Sequence, residues 1–297
     1  MSSGFTRAHL AILATAVLFS TGGAAIKACQ LAAWQVAGFR SGIAALVMVL
    51  LVPAARQVSG PILVVAAAYA GTLISFVLAN KLTTAAQAVF LQAAAPLYVV
   101  FLERWLLGAR LARRDVPVLG LVVIGGVLLY LGSGASFATA PDPARGNVIA
   151  IVSGVFYAGM LVGLRWLAER TPRPGAAAAA AVWGNGLAFV IALPMAVPVV
   201  GSTQRDWLVL AYLGIFQIGL AYYLVARAVR TVSALDVSLL LLVEPVLNPI
   251  WVWLLHGEVP GPLAIVGGAL VLVATSWRTL TAPPAPETAA VSAVSEA

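Results

Sequence analysis

Charged side chains are scarce in this sequence. Asp, Glu, Lys and Arg make up 9% of the 297 residues, whereas hydrophobic residues make up 62%. A soluble domain carries about 25% charged residues. So few charges cannot cover a water-facing surface, which excludes an ordinary soluble globular protein. A bilayer accepts apolar side chains on every face of a helix, and the composition therefore predicts an integral membrane protein.

Cysteine and histidine are almost absent. Cys29 is the single cysteine, and His9 and His256 are the two histidines. One cysteine excludes an intrachain disulfide, and no Cys/His metal-binding pattern is present. A membrane-embedded enzyme is a disfavoured alternative, because no cluster of His, Asp, Ser or Cys has catalytic spacing. The GxxxxGK[ST] pattern of an ATP-binding loop is also missing, and we predict no cofactor.

Ten apolar segments approach the length of about 20 residues that a membrane-spanning helix needs. In chain order they are residues 9–28, 32–52, 61–80, 84–107, 116–134, 147–167, 176–200, 206–227, 234–256 and 262–279. Segment 1 follows a single arginine, as in a signal peptide, but its length and the nine segments after it favour an uncleaved helix. The sequence therefore predicts an all-α integral membrane protein with ten transmembrane helices.

A Pro/Gly/Ser-containing connection divides these segments into two sets of five. We predict a first five-helix repeat at residues 1–134, a connecting loop at 135–146 and a second repeat at 147–280. Residues 281–297 are rich in Ala, Pro and Glu and lack an apolar period, which predicts a disordered tail.

Basic residues are distributed unevenly between the two ends of the segments. With a cytoplasmic N-terminus, twelve of the 17 Lys and Arg residues fall on the cytoplasmic side and four on the other, while Arg40 lies inside segment 2. The positive-inside rule therefore predicts a protein of a bacterial-type inner membrane with both termini in the cytoplasm.

The net charge of +7 does not indicate binding to nucleic acid, because the basic residues form no continuous patch.

The two halves of the chain are similar to each other. The stretch KLTTAAQAVFLQAAAPLYVVFLERWLLG aligns without a gap with RTVSALDVSLLLLVEPVLNPIWVWLLHG, which matches Pro96 with Pro245. Between segments 1 and 6, Lys27 aligns with Arg165. Because each repeat holds an odd number of helices, the second copy is inverted relative to the first. Inverted repeats are typical of secondary transporters, in which the substrate site lies near the bilayer midplane between the copies.

These features resemble the drug/metabolite transporter superfamily, in its EamA-type branch. The most specific part is YYLVARAVRTVSALDVSLLLLVEPVLNPIWVWLLHGE, which is similar to the end of helix 8, helix 9 and the closing Gly-Glu of that branch, here Gly257 and Glu258. Arg40 lies where such proteins often place an arginine. The first half departs from the pattern, because Gly108–Ala109 stands at the corresponding place. The resemblance implies a ten-helix transporter, similar to bacterial amino-acid exporters that include aromatic amino-acid exporters.

Two charged residues inside the predicted spans are the strongest candidates for substrate binding. Glu244 lies near the middle of segment 9, where a charge is costly unless it is paired, hydrated or neutralised. It could bind a substrate amine; the alternatives are a protonated structural glutamate or an ion pair with Arg40. Arg40 could bind a substrate carboxylate, and the alternative is a side chain that snorkels to the interface.

Uncharged candidates lie on several segments. Pro96 and Pro245 remove amide donors inside helices and are expected to line or gate a cavity. Phe19 and Tyr157 are mid-helix and equivalent in the repeat, and Asn248 lies one turn after Glu244 on the same face. The predicted substrate-binding set is Phe19, Arg40, Asn80, Gln92, Pro96, Tyr157, Tyr223, Glu244, Pro245 and Asn248.

The function predicted from these residues is a secondary transporter, not an enzyme. It would export small metabolites by alternating access, most simply amino acids with hydrophobic or aromatic side chains. The expected partners are this small-molecule substrate and membrane lipid, with the protein as a monomer. A nucleotide-sugar antiporter is an alternative that needs several cationic groups for the phosphates. A drug/proton antiporter is another, but it calls for an acid in segment 1, which has none.

Overall fold

A computed structural model gives the fold. It describes residues 7–51, 56–95, 98–99, 102, 115–132, 139–170, 175–228, 241 and 243–281. The helices are α1 (Arg7–Ser20), α2 (Gly22–Ala28), α3 (Ala33–Leu51), α4 (Gly60–Leu82), α5 (Ala85–Gln92), α6 (Asp115–Leu131), α7 (Pro143–Arg170), α8 (Ala176–Ala196), α9 (Gln204–Tyr212), the π-helix π1 (Leu213–Leu220), α10 (Ala221–Ala228), α11 (Val243–His256) and α12 (Pro262–Thr281). Pro96 and the predicted tail from residue 282 onward lie outside the described residues.

Each of the ten predicted segments contains a helix, and the all-α integral membrane fold is confirmed. Within the described residues, six stretches are both long and apolar enough to cross a membrane: His9–Ala28, Ala33–Leu51, Gly60–Leu82, Pro143–Leu164, Ala176–Ala196 and Gln204–Leu224. Shorter apolar helices lie at Val116–Leu129 and Pro262–Ala274. Many large apolar side chains on these helices are exposed, as expected for a surface that faces lipid.

The composition of segment 1 predicts one uninterrupted helix, but the structure shows two. The helix is broken at Thr21, between α1 and α2. Ser20 Oγ donates to the carbonyl of Val17 at 2.7 Å, and Thr21 Oγ1 donates to the carbonyl of Leu18 at 2.7 Å. Hydroxyl groups that bond back to the helix in this way compete with the backbone ladder. The Gly22–Gly23 pair that follows adds backbone freedom, so the break has a local cause.

Segment 8 is also irregular, because its middle turns form π1. The π-helix packs closely on α3: a Cβ at Gly214 would lie 2.6 Å from the Ile43 side chain, and one at Gly219 would lie 2.9 Å from Val47. Widened turns of this kind are rare and are often found at functional sites. Gln217, on π1, is buried.

Small residues bring the central helices together. Gly38 and Gly42 of α3 face Ala192 and Phe189 of α8, with virtual Cβ distances of 3.0 and 2.8 Å. On α4, Tyr69 packs directly on Gly184 of α8. Close approach at small residues is the usual way in which transmembrane helices associate, since lipid supplies no hydrophobic drive. The largest buried cluster lies among α3, α4 and α8, and it surrounds the site described next.

Candidate functional site: a buried arginine and a glutamate beside Tyr222

Arg40 lies in the interior of the helix bundle. Its side chain is 1% exposed, so it does not snorkel to the interface in this conformation. Its Nη2 donates to the carbonyl of Leu73 on α4 at 3.2 Å, and its Nε has no hydrogen-bond partner. Among the residues that the structure describes, no carboxylate lies within ion-pair distance of this guanidinium. A buried cation without a counter-ion is costly, which makes Arg40 a candidate for binding an anionic group.

Two tyrosines, Tyr69 and Tyr222, lie near Arg40, and Phe19 packs on one of them. The ring of Tyr222, at the start of α10, lies 5.3 Å from that of Phe19 and 5.4 Å from that of Tyr69, between ring centroids. Both tyrosines interact electrostatically with Arg40. These tilted pairs are typical of stabilising aromatic contacts. Together they form an aromatic wall that connects α1, α4 and α10 next to the guanidinium.

Glu244 also lies within electrostatic range of Tyr222. This glutamate is at the start of α11, is half-buried, and interacts electrostatically with Tyr157 and Tyr222. In the described part of the chain its carboxylate has no ion-pair or hydrogen-bond partner. An ion pair with Arg40, one alternative from the sequence, is therefore not present in this conformation. Tyr222 is in electrostatic range of both the cation and the acid, which places the two charges around one common ring.

Asn248 adds unpaired polar atoms near the break in segment 1. Its side chain is fully buried, and neither its amide oxygen nor its amide nitrogen has a hydrogen-bond partner. A Cβ at Gly23 would lie 2.8 Å from Asn248 Oδ1. A buried amide that is left unsatisfied carries a desolvation penalty that a ligand could relieve. Pro245, one turn earlier on α11, is also buried.

Other predicted site residues have protein partners. Asn80 donates to the carbonyl of Phe76 in its own helix at 2.9 Å, although its amide oxygen has no partner. Gln92 Nε2 donates to Ser153 Oγ at 2.8 Å, which links α5 to α7. Tyr223 is half-buried, whereas the ring contacts described above are made by its neighbour Tyr222. The structure thus brings together four predicted residues, Phe19, Arg40, Tyr157 and Glu244.

Two central members of this cluster were not in the predicted set. Tyr69 was not singled out in the sequence at all, because a tyrosine inside a long apolar segment carries no pattern. Tyr222 is adjacent to Tyr223, which is the tyrosine in the predicted set. Which of two adjacent aromatics faces inward depends on the rotation of the helix, and the widened turns of π1 change that rotation just before them.

The chemistry of the cluster suits the binding of a charged solute. Among the described residues, no group of three or more His, Cys, Asp or Glu side chains could hold a metal ion. The guanidinium of Arg40 and the carboxyl group of Glu244, close to shared aromatic rings inside a helix bundle, can bind a solute and release it. Together with the ten helix-containing segments, this site defines a polytopic membrane transporter.

Comparison with known proteins identifies the family. The model of the EamA-like transporter family matches the chain twice, at residues 6–131 and 144–279. The chain belongs to this family, and the double match confirms the two repeats.

Two named relatives match most of this chain in sequence. The pseudopaline exporter CntI of Pseudomonas aeruginosa strain UCBPP-PA14 is 30% identical over 274 residues, which cover 89% of this chain and 93% of the relative. The same exporter from strain PAO1 matches with the same identity and coverage. These relatives and the family make this chain a transporter of small metabolites rather than an enzyme.

The fold is also found among solved structures. A crystal structure described only as that of a protein superposes with a TM-score of 0.61 at 21% sequence identity, covering 92% of this chain and 96% of the other. At this identity the likeness shows the fold alone. It supports the arrangement of helices that places Arg40 and Glu244 in the interior.

Proposed function

We propose that this transporter exports small zwitterionic metabolites, most simply amino acids with hydrophobic or aromatic side chains. The observation that carries the proposal is a pair of intramembrane charges of opposite sign, Arg40 and Glu244, that both lie within electrostatic range of Tyr222. Neither Arg40 nor Glu244 has a charged partner in the described part of the chain. A solute that carries both a carboxylate and an ammonium supplies the missing partner to each.

Arg40 suits the carboxylate end of such a solute. A guanidinium presents several N–H donors in one plane and can bind a carboxylate through two parallel hydrogen bonds. Among the described residues, its Nη2 has a protein acceptor, the carbonyl of Leu73, and its Nε has none. The side chain therefore has donors left for a ligand. Because the site is buried, such charge-assisted hydrogen bonds are stronger than in water.

Glu244 suits the ammonium end. Acids inside transmembrane segments commonly bind substrate amines or protons. The carboxylate lies next to Tyr157 and Tyr222, whose rings can cover the apolar part of a bound solute. Phe19 and Tyr69 extend the same aromatic surface. A site that is mostly apolar with a few placed polar groups is the usual form of a small-molecule site.

Several further assignments belong to the same proposal. Pro245 and Asn248 would line the site on α11, Gln92 and Asn80 would border it, and Pro96 and Tyr223 are retained from the sequence prediction. We place the protein in the inner membrane as a monomer with both termini in the cytoplasm. The two pseudopaline exporters support export of a small metabolite. The energy source would be a substrate or proton gradient.

A panel of matched solutes tests the proposal. Purified protein in liposomes would be given phenylalanine, 2-phenylethylamine (which lacks the carboxylate) and 3-phenylpropionate (which lacks the ammonium), each radiolabelled. We expect transport of the amino acid only. Arg40→Gln should reduce that transport about tenfold or more, because one lost charge pair is worth well over 1.4 kcal/mol.

The control is Arg56→Gln, which removes an arginine that is exposed at the end of segment 2. It should transport phenylalanine at the wild-type rate. Equal transport of all three solutes by the wild-type protein would contradict the zwitterion proposal. So would an Arg40→Gln variant that remains as active as the wild type.

A further inference from the structure

A second set of buried charges lies far along the helices from Arg40, at one end of the bundle. Lys27 Nζ and Glu258 Oε1 form an ion pair at 2.8 Å, and their side chains are 1% and 3% exposed. Lys27 belongs to the first repeat, at the end of α2, and Glu258 belongs to the second repeat, between α11 and α12. The pair therefore joins the two inverted repeats and is sealed from water.

Backbone groups from other chain segments complete this contact. Lys27 Nζ also donates to the carbonyls of Thr83 at 2.9 Å and Thr139 at 2.6 Å. Glu258 accepts from Thr139 Oγ1 at 2.6 Å and from the amide of Ala85 at 3.0 Å. All of these groups lie at the ends of helices on one face of the bundle, which we call the closed face. Four separate stretches of chain thus meet at a single pair of charges.

A permanent brace would not need an ion pair. Taking two charges out of water is expensive, and well-packed apolar residues hold helices together at least as well. An ion pair does suit a contact that opens repeatedly, because water hydrates both charges when they separate. An apolar contact would instead expose its surface to water each time.

We infer that Lys27 and Glu258 form the gate of the closed face, which holds the two repeats together and separates when substrate crosses that face. The inference rests on the proposed alternating-access function. Its closed state is the conformation described, in which the pair excludes water between the repeats. Opening of the gate would move the end of α2 away from Glu258.

The alignment of the two repeats shows that the residues of this gate are not both present at the opposite face. Lys27 aligns with Arg165, so the cation has a counterpart in the second repeat. Glu258 aligns with Ala109, so the acid has none. The same ion pair therefore cannot form at the opposite face. The contact between the repeats would therefore be more stable at the closed face than at the opposite face. This keeps the substrate site open to the opposite side of the membrane until substrate binds.

A reversible cross-link tests the gate directly. In a Cys29→Ser background, Lys27→Cys together with Glu258→Cys removes both charges, so no unpaired buried charge is left to disturb folding. A short bifunctional thiosulfonate would then join the two thiols across the face. We expect transport to fall about tenfold or more after cross-linking and to recover on reduction, since a locked gate stops alternating access. The controls, treated with the same reagent, are Lys27→Cys with Glu258→Ala and Lys27→Ala with Glu258→Cys, which also lack both charges but hold a single cysteine. Transport that is unchanged by the cross-link would overturn the inference.

A second measurement needs no knowledge of the substrate. Cys29 follows α2 directly, is buried, and lies beside Lys81, which donates to its carbonyl. Burial raises the pKa of its thiol to about 11, so in the closed state it is both shielded and protonated at neutral pH. Weakening the gate should expose it to a membrane-impermeant maleimide.

We expect Glu258→Gln to raise the labelling rate of Cys29 about tenfold or more over the wild type, because Lys27 loses its counter-charge. The matched control is Asp142→Asn, which removes one acid at the same face; the Asp142 side chain accepts from the exposed amide of Arg145, a contact that an asparagine oxygen can keep. It should label at the wild-type rate. Equal labelling of wild type and Glu258→Gln would contradict the gate even if no amino acid is transported, which separates this test from that of the substrate.

Discussion

Glu244 is the residue on which the sequence and the structure converge. The sequence singled it out because an acid in the middle of an apolar segment is costly, and the structure places it next to Tyr157 and Tyr222 without a protein counter-charge in the described residues. Two roles are still distinguishable. A structural, protonated glutamate acts as a hydrogen-bonding amide would, whereas a substrate-binding carboxylate acts through its charge.

The substitution Glu244→Gln separates these roles. It keeps the shape and removes the charge, so we expect a folded protein whose transport of the zwitterion falls about tenfold or more. Folding would be checked by expression and by a single symmetric peak in detergent gel filtration, and transport by uptake into liposomes. Wild-type transport across the pH range by this variant would remove Glu244 from the site.

The residues that sequence reasoning missed share one physical feature. Tyr69, Tyr222 and the Lys27–Glu258 pair are defined by contacts between distant parts of the chain. Apolar side chains surround a membrane helix on all sides, so the sequence hardly indicates which face points inward. Charges stand out against this background, and for that reason Arg40 and Glu244 could be predicted while their aromatic neighbours could not.

At the level of helices, composition predicted where segments lie but not how regular they are. The break at Thr21 and the widened turns of π1 lie opposite α11 and α3, respectively, and both follow from residues that were individually unremarkable. Gly38 and Gly42, four residues apart on α3, both face α8 at short distance. Small residues were recognisable in the sequence since their spacing places them on one face of a helix.

Helix α8 offers a matched pair of glycines for a test of this packing. A Cβ at Gly184 would lie 2.7 Å from the side chain of Tyr69, whereas a Cβ at Gly186 would meet nothing within 4 Å. Gly184→Ala should push α8 from α4 and destabilise the protein by about 1–3 kcal/mol. Gly186→Ala should be neutral or stabilise it by up to about 1 kcal/mol, since alanine favours the helix.

Thermal unfolding of both variants in the same detergent gives the comparison. Because Tyr69 contacts Tyr222, the first substitution should also reduce zwitterion transport in the protein that remains folded. If the two variants melted at the same temperature, the close approach of α4 and α8 at Gly184 would be wrong.

On the scale of the whole molecule, the two family matches and the helices on all ten segments agree with a pair of inverted repeats. Inversion explains how one fold can present its site to either side, since each copy can adopt the conformation of the other. The domain limits at residues 134 and 147 remain a prediction. So does the orientation in the membrane, which depends on the excess of Lys and Arg on one side.

Reporter fusions test that orientation. If the N-terminus is cytoplasmic and each repeat crosses the membrane five times, the loop at 135–146 lies outside and the C-terminus inside. Alkaline phosphatase joined within that loop should therefore be active, and the same enzyme joined after residue 281 should be inactive, because it folds only outside the cytoplasm. A green fluorescent protein at the same two places should give the reverse result. The closed face, which contains Thr139 beside Lys27 and Glu258, would then be the outer face. Equal reports from the loop and the C-terminus would contradict the odd number of crossings in the second repeat, and with it the inversion.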